Sequence, residues 1–280
     1  MTNWPVGLST GSFYRMSIFD VLRPVRENGF TLLEISSSQG HLDYREPEDL
    51  KRLSVQLRDL GLEPFSFHGP LSNHLDLSSQ DEGQRERSVA ELLQAAEAAG
   101  RLGAAHFVVH PGPEQTGPVG EEQRGERLER AAEALEKIRS HCAKIGVVLV
   151  LENMLPHLSL GKTDDLLKII SALDGQEFGV CLDTGHANLA GDIYDLPGRI
   201  GSRLKMLHAH DNRGRHDDHL APGQGRIDWQ LLLERLASQG FVGPLMLELS
   251  GENHDEPGQL LQEAQAGREV LERIQRGLQQ

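Results

Sequence analysis

The chain is poor in the features that usually announce a class. No apolar run approaches the ~20 residues needed to cross a bilayer as a helix, so a helical membrane protein is not expected. The segment Met1 to Thr10 has no basic stretch leading into an apolar one, so no secretory leader is expected and a cytoplasmic location is the default. Only two cysteines occur, Cys142 in a helical pattern and Cys181 in a strand pattern. Reduced core thiols are therefore expected, not a disulfide framework. Lys/Arg runs are missing too, and 28 basic against 42 acidic residues leave a net charge of −14. Such a chain repels polyanions over long range, and duplex binding usually needs a basic face, so nucleic acid is not the expected partner. No Gly-x-Gly-x-x-Gly follows the first apolar run, which argues against dinucleotide binding. Neither a linker nor a low-complexity stretch interrupts the chain. With 280 residues, 38% of them hydrophobic and 25% charged, it can bury one large core, and a single domain over 1–280 is expected.

What is present is alternation. Short apolar runs at 6–9, 30–35, 64–67, 106–109, 147–151, 178–182, 204–207 and 245–247 read as strands, the fifth wholly apolar as in a parallel sheet buried on both faces. Helical patterns lie between them at 17–28, 47–60, 90–102 within a longer helix, 121–145, 163–173 capped by Thr163 or Asp164, 187–200, from Asp228 onward, and 257–278. Eight βα units in strict order predict an α/β fold, a single (β/α)8 TIM barrel, with an open doubly wound sheet as the rival. The Pro- and Gly-rich stretch 111–120 is short enough to be a βα loop.

The residue closing each apolar run carries the chemistry. Strand three ends in His68, four in His110, five in Glu152, six in Asp183 with His186 three residues on, seven in His208 and eight in Glu248. Asp217, Asp218 and His219 sit in a Gly-rich loop after strand seven. A barrel brings all C-terminal strand ends to one mouth. Carboxylates bunched there without a cation would raise each other's pKa, and a divalent metal removes that conflict; imidazole and carboxylate suit zinc or manganese. Any one of the 13 histidines has a bland reading as a satisfied structural side chain; the set together does not. His106 begins a strand and is assigned to structure, and His141 and His157 fall away from the mouth. His41 and His74 lie in βα loops that could line a pocket, and His216 neighbours the candidate loop. His210 is expected to point outward. Glu34, closing strand two, faces the same mouth as a substrate contact or as a cap on the barrel.

These residues resemble the xylose isomerase-like TIM-barrel superfamily, which joins sugar and sugar-phosphate isomerases and epimerases to endonuclease IV. The resemblance runs from Gly7 to about Ile274 and is sharpest in Leu-Asp-Thr-Gly-His-Ala-Asn (182–188) and in the segment 210–229, His-Asp-Asn-Arg-Gly-Arg-His-Asp-Asp-His through Asp-Trp. Two patterns follow from it. The epimerase-like one implies a single metal on Glu152, Asp183, His208 and Glu248, with the two glutamates moving protons on opposite faces of the substrate and His186 contacting a hydroxyl. The endonuclease-like one implies three zinc ions and adds His68, His110, His186, Asp217 and His219, all of matching type here. The metal count thus stays open between one and three.

Three functions are weighed. The first is a metal-dependent sugar or sugar-phosphate isomerase or epimerase that transfers a proton beside a metal-polarised carbonyl, with a small carbohydrate as its partner. The second is a zinc-dependent phosphodiesterase or abasic-site endonuclease. The third is a ligand-binding barrel without turnover, which the intact ligand set disfavours. Arg213 and Arg215 could hold a phosphate or be solvated loop charges. The particular sugar is not legible, and a homo-oligomer is compatible with the sequence.

Overall fold

The computed structural model describes residues 3–72, 74–114, 120–173, 175, 177–252 and 256–279. Of the expected loop 111–120, residues 115–119 lie outside the described residues. Eight parallel strands close into a barrel in sequence order: β1 (Val6–Ser9), β2 (Leu32–Ser36), β3 (Glu63–His68), β4 (His106–Val109), β5 (Val148–Glu152), β6 (Gly179–Asp183), β7 (Leu204–Ala209) and β8 (Leu245–Leu247). β8 returns to β1 with Val6 opposite Leu245 and Leu8 opposite Leu247. The chain is therefore a TIM barrel, its helices packed outside: α1 (Ile18–Glu27), α2 (Pro47–Leu60), α3 (Glu82–Leu102), α4 (Glu121–Lys144), α5 (Thr163–Ala172), α6 (Thr184–Ala190), α7 (Leu196–Ile200), α8 (Trp229–Ser238) and α9 (Pro257–Gly277). Among the described residues no helix is long and apolar enough to cross a membrane.

Strand periodicity sorts the side chains. In β5, Leu149 and Leu151 face outward into the large core shared with the helices, while Val150 joins Val108, Cys181, Met206 and Met246 in the barrel lumen. The lumen is tight: a Cβ on Gly7 would sit 2.7 Å from Met246 Sδ and 2.8 Å from the Leu32 carbonyl. Two residues beyond six of the side chains in this cluster stands a polar one on the same face. Leu32 precedes Glu34, Val108 His110, Val150 Glu152, Cys181 Asp183, Met206 His208, and Met246 Glu248. An apolar layer therefore closes the lumen below a ring of His, Asp and Glu at the mouth.

Helix ends follow local chemistry. Gly61 and Gly103 end α2 and α3 in the left-handed conformation. Asp228 caps α8 by accepting from Leu231 N at 3.0 Å. Two expectations are corrected. The stretch 187–200 is not one helix, because Gly191 at φ 84° ends α6 and the chain turns before α7. Neither Thr163 nor Asp164 caps α5: the helix starts at Thr163 and Lys162 holds the N-cap position, where no side chain caps the first turn.

Candidate metal centre at the barrel mouth

The barrel gathers ligand-type side chains from seven of its strands or the loops that follow them. Ligand atoms of Glu152, Asp183, His208 and Glu248 lie within 4.8 Å of one another, as do those of His68, Glu152 and His208, of His186, Asp217 and His219, and of His210, His219 and Glu248. Glu152 sits between the groups. His68 Nε2 and His110 Nε2 approach its Oε2 at 3.1 and 3.3 Å, and His208 Nδ1 approaches its Oε1 at 3.0 Å. Asp217 Oδ2 stands likewise between His186 Nε2 at 3.2 Å and His219 Nε2 at 3.0 Å.

The far side of each ring is anchored. His68 Nδ1 donates to the Gly69 carbonyl at 2.8 Å, His186 Nδ1 to the Asn153 carbonyl at 2.8 Å, and His219 Nδ1 to the Glu248 carbonyl at 3.0 Å. His110 Nδ1 meets the Glu114 carboxylate, and His208 Nε2 meets Glu34. With the outer nitrogen protonated, the inner one faces a carboxylate oxygen across 3.0–3.3 Å, a gap that only a proton or a cation can bridge. Outer anchoring of this kind is the usual setting of metal-bound imidazole. Two further buried atoms, His210 Nδ1 and Asp217 Oδ1, lack a partner and stand 3.9 Å apart. Anchored imidazoles, shared carboxylate oxygens and orphaned acceptors together make a donor set that fits divalent cations.

Proton affinities reflect the same crowding. Burial pushes His186 down, but the Asp183 charge and the Asp217 bond outweigh it and lift the ring to about 9. Burial opposes His219 likewise, and Asp217 with Glu248 lifts it to about 10. Burial would raise Asp217, yet its bonds from His186 and His219 hold it well below the usual carboxylate range. For Glu152, burial is overcome by the positive rings of His208 and His110, and the carboxyl is held well below its ordinary value.

Not every expectation about individual residues survives. His210 does not point outward. It shares strand parity with His208, is fully buried, and approaches Asp183 Oδ2 through Nε2 at 2.8 Å. Its ring stacks on His219 at 3.9 Å and fills the space over Gly185, where a Cβ would lie 2.1 Å from His210 Cε1. Asp183 in turn caps α6, accepting from His186 N at 2.7 Å, so the Asp-Thr-Gly-His segment is held from both sides. Glu34, read as a substrate contact or as a cap on the barrel, is 0% exposed, and its oxygens are occupied by Ser9, Ser66 and His208, which fits the second of these. Arg213 and Arg215 are exposed, Arg213 lying 3.6 Å from Asp218. His41 is buried against the Met16 carbonyl at 2.7 Å. His74 is exposed on the rim, His216 is exposed, and His106 stacks on Phe65 at 4.4 Å. His141 on α4 pairs with Glu97 at 2.8 Å, and His157 is exposed in the β5–α5 loop.

The loop after β7 owes its shape to Asp211, a residue the sequence did not single out. Its carboxylate accepts from the amides of Asn212, Gly223 and Ile227 and from Trp229 Nε1 at 2.9–3.1 Å, while its backbone pairs with Leu220. The loop wrapped round this carboxylate presents Asp217 and His219. His219 adopts φ 46°, an uncommon value for a residue other than glycine. Above the centre opens a cavity of about 760 Å3 whose lining includes Glu248, His68, Ser36, Ser38, Asp43 and Tyr44. A second, of about 700 Å3, is lined in part by Glu248, Asp217, His219 and Arg213.

The barrel has clear counterparts. Residues 22–274 match the family model described as xylose isomerase-like TIM barrel, and the chain belongs to that family. A solved structure of a D-tagatose 3-epimerase-like protein superposes with a TM-score of 0.83 at 28% identity, covering 97% of each chain. An uncharacterised protein of Methanocaldococcus jannaschii is 32% identical over 250 residues, 86% of this chain and 82% of its own length. A probable endonuclease 4 of Nitratidesulfovibrio vulgaris is 26% identical over 263 residues, 84% and 89% of the two chains.

Proposed function

We propose that the protein is a metal-dependent isomerase or epimerase of a sugar or sugar phosphate. The observation that carries this reading is the group Glu152, Asp183, His208 and Glu248, whose ligand atoms lie within 4.8 Å of one another beside an open cavity of about 760 Å3. Those four residues would hold the ion. A divalent metal held there would polarise a substrate carbonyl and acidify the adjoining C–H. The chain's own part is positioning and proton transfer. Glu152 and Glu248 stand at the ends of β5 and β8, three strands apart round the mouth, so they approach a bound sugar from different sides. One carboxylate takes a proton from the carbon beside the carbonyl and the other returns one, which inverts or moves the centre. Glu248 remains partly exposed on the rim and reaches substrate directly, whereas Glu152 is 1% exposed and is oriented by His68, His110 and His208. The hydroxyls of Ser36 and Ser38 and the carboxylate of Asp43 offer hydrogen bonds to a polyol, and His186, with Nδ1 3.6 Å from Asp183 Oδ1, stands beside the four-residue group, where it would meet a substrate hydroxyl. The epimerase-like neighbour at 28% identity supports the reading.

The test is a panel of ketoses and their phosphates, assayed with zinc and with manganese. Metal-dependent interconversion of one of them is expected, and Glu152→Gln or Glu248→Gln should cut turnover at least 100-fold, the scale of lost acid–base catalysis. Silence across the panel with both metals would refute it.

A second reading is kept because one observation favours it. His68, His110 and Glu152, and separately His186, Asp217 and His219, form further groups beside the first, more ligands than a single ion uses. Phosphoester hydrolysis by a zinc cluster would use all of them. Nicking of an abasic duplex by the zinc-loaded protein would place this reading first.

A further inference from the structure

His208 is mounted the other way round from its neighbours. His68, His110, His186 and His219 turn Nε2 towards the shared carboxylates and Nδ1 towards an outer acceptor. His208 turns Nδ1 inward, 3.0 Å from Glu152 Oε1 and 3.4 Å from Glu248 Oε2, and Nε2 down the lumen. What receives Nε2 is Glu34, whose Oε1 and Oε2 lie 3.0 and 3.1 Å away. Both residues are 0% exposed. Glu34 is fixed from two sides, by the hydroxyls of Ser9 at 3.0 Å and Ser66 at 2.9 Å. A carboxylate in that place is not a packing element. Burying it is costly unless donors meet it, and a fully apolar residue of the same size would fill the lumen more cheaply. An ionised carboxylate only accepts, so Nε2 meets Glu34 through a proton. Nδ1 faces Glu152 and Glu248, so a cation held among those carboxylates would take Nδ1 and leave the ring's one proton on Nε2, towards Glu34.

We propose that Glu34 is a positioning residue of the metal centre: by accepting the Nε2 proton of His208 it fixes the ring's orientation and reserves Nδ1 for the ion. The proposal rests on the metal reading above. It assigns Glu34 a task beneath the centre in place of contact with substrate.

The test joins a spectroscopic reading to an affinity. In zinc-loaded wild-type protein, nitrogen-15 spectra of the histidine rings should show His208 coordinated through Nδ1 with a proton on Nε2. Glu34→Gln should weaken zinc binding 10- to 100-fold, the usual effect of removing a carboxylate behind a ligating imidazole. Coordination through Nε2 in the wild type, or unchanged zinc affinity in a folded Glu34→Gln variant, overturns the proposal. A role in packing alone would lower the melting temperature of the variant and leave affinity and ring tautomer where they were. Should the variant not fold, the wild-type spectrum decides. Wild-type protein that binds no zinc would refute the metal reading. Glu34 is then judged in the metal-free protein, where an Nε2 proton on His208 protected from exchange upholds the positioning role and a freely exchanging one overturns it.

Discussion

Protons and metal compete for the same nitrogens, so the centre should report its own occupancy through pH. The rings of His186 and His219 are lifted to about 9 and about 10 when only protons join them to Asp183 and Asp217. A histidine raised on folding adds stability in full below its unfolded value of ~6.5 and loses it as pH climbs through the folded value. Asp217 and Glu152 are held low, so their contribution is present above the ordinary carboxylate range, near pH ~4, and is lost in acid. Chelator-treated protein should therefore be most stable between about pH 4.5 and 6.5 and decline towards pH 10, whereas on the three-ion reading zinc-loaded protein, its imidazoles already deprotonated, should keep its melting temperature through the alkaline range. Equal alkaline profiles for the two forms would contradict this. A second expectation concerns Gly185, over which His210 lies. Gly185→Ala should be destabilising by about 2 kcal/mol through overpacking. Adding His210→Ala should recover part of that loss, a coupling that urea denaturation of the two single variants and the double variant measures. The cluster at the strand ends was legible because six consecutive apolar runs, strands three to eight, each stop at a charged or imidazole side chain. His210 was missed although parity alone locates it: two residues past His208, a strand faces the same way. Glu114 and Asn153 had no comparable signal, since what matters is a contact with His110 and with His186 that only the closed barrel creates.

Strands and helices were legible nearly throughout, and the exceptions have local causes. Lumen and outer faces of the strands are both apolar, so the sequence shows continuous runs bounded by turn residues, and the helices between them end at glycines such as Gly61 and Gly103. Gly191 broke one expected helix in two because its left-handed backbone ends the first before the second can begin. The β7–α8 loop is a different case. Asp211 reads as one more acidic residue in a charged stretch, and its partners Gly223, Ile227 and Trp229 lie as far as 18 positions along the chain. The space is closed as well, since a Cβ on Gly225 would stand 2.1 Å from Asp211 Oδ1. Asp211→Asn keeps the shape but turns an amide NH2 towards donors that have nowhere else to go. It should cost roughly 3 kcal/mol of stability, the scale of two buried donors left unsatisfied. On the three-ion reading it should also weaken zinc binding at His186, Asp217 and His219, which the loop presents. Urea denaturation and zinc titration check both parts; a loss under about 0.5 kcal/mol would mean the loop holds its shape without the carboxylate.

At the level of the whole molecule, the barrel poses a question that no single residue answers. It lays one ligand set of four beside others that share Glu152 or abut Asp217, and the chain carries a net charge of −14 around them. Charge and ligand count point in different directions. A nuclease built on three ions must still meet the phosphate backbone, and of the arginines near the mouth Arg45 is already paired with Glu91 and Arg213 lies beside Asp218. If duplex DNA is nevertheless the partner, its affinity should fall with salt at a slope of about −0.9 per phosphate neutralised, while a neutral sugar should show no such slope. Metal content separates the readings independently of any substrate. The isomerase reading expects one tightly held ion, retained when Asp217 and His219 are both changed to Ala, with the loss appearing in turnover or KM. The phosphodiesterase reading expects three in the wild type and two in that variant. Elemental analysis of the purified and zinc-reconstituted proteins measures the number directly. One ion in both proteins upholds isomerase chemistry, because His186, Asp217 and His219 are then free to meet a substrate; three in the wild type would show that they are ligands and move phosphoester hydrolysis ahead of it.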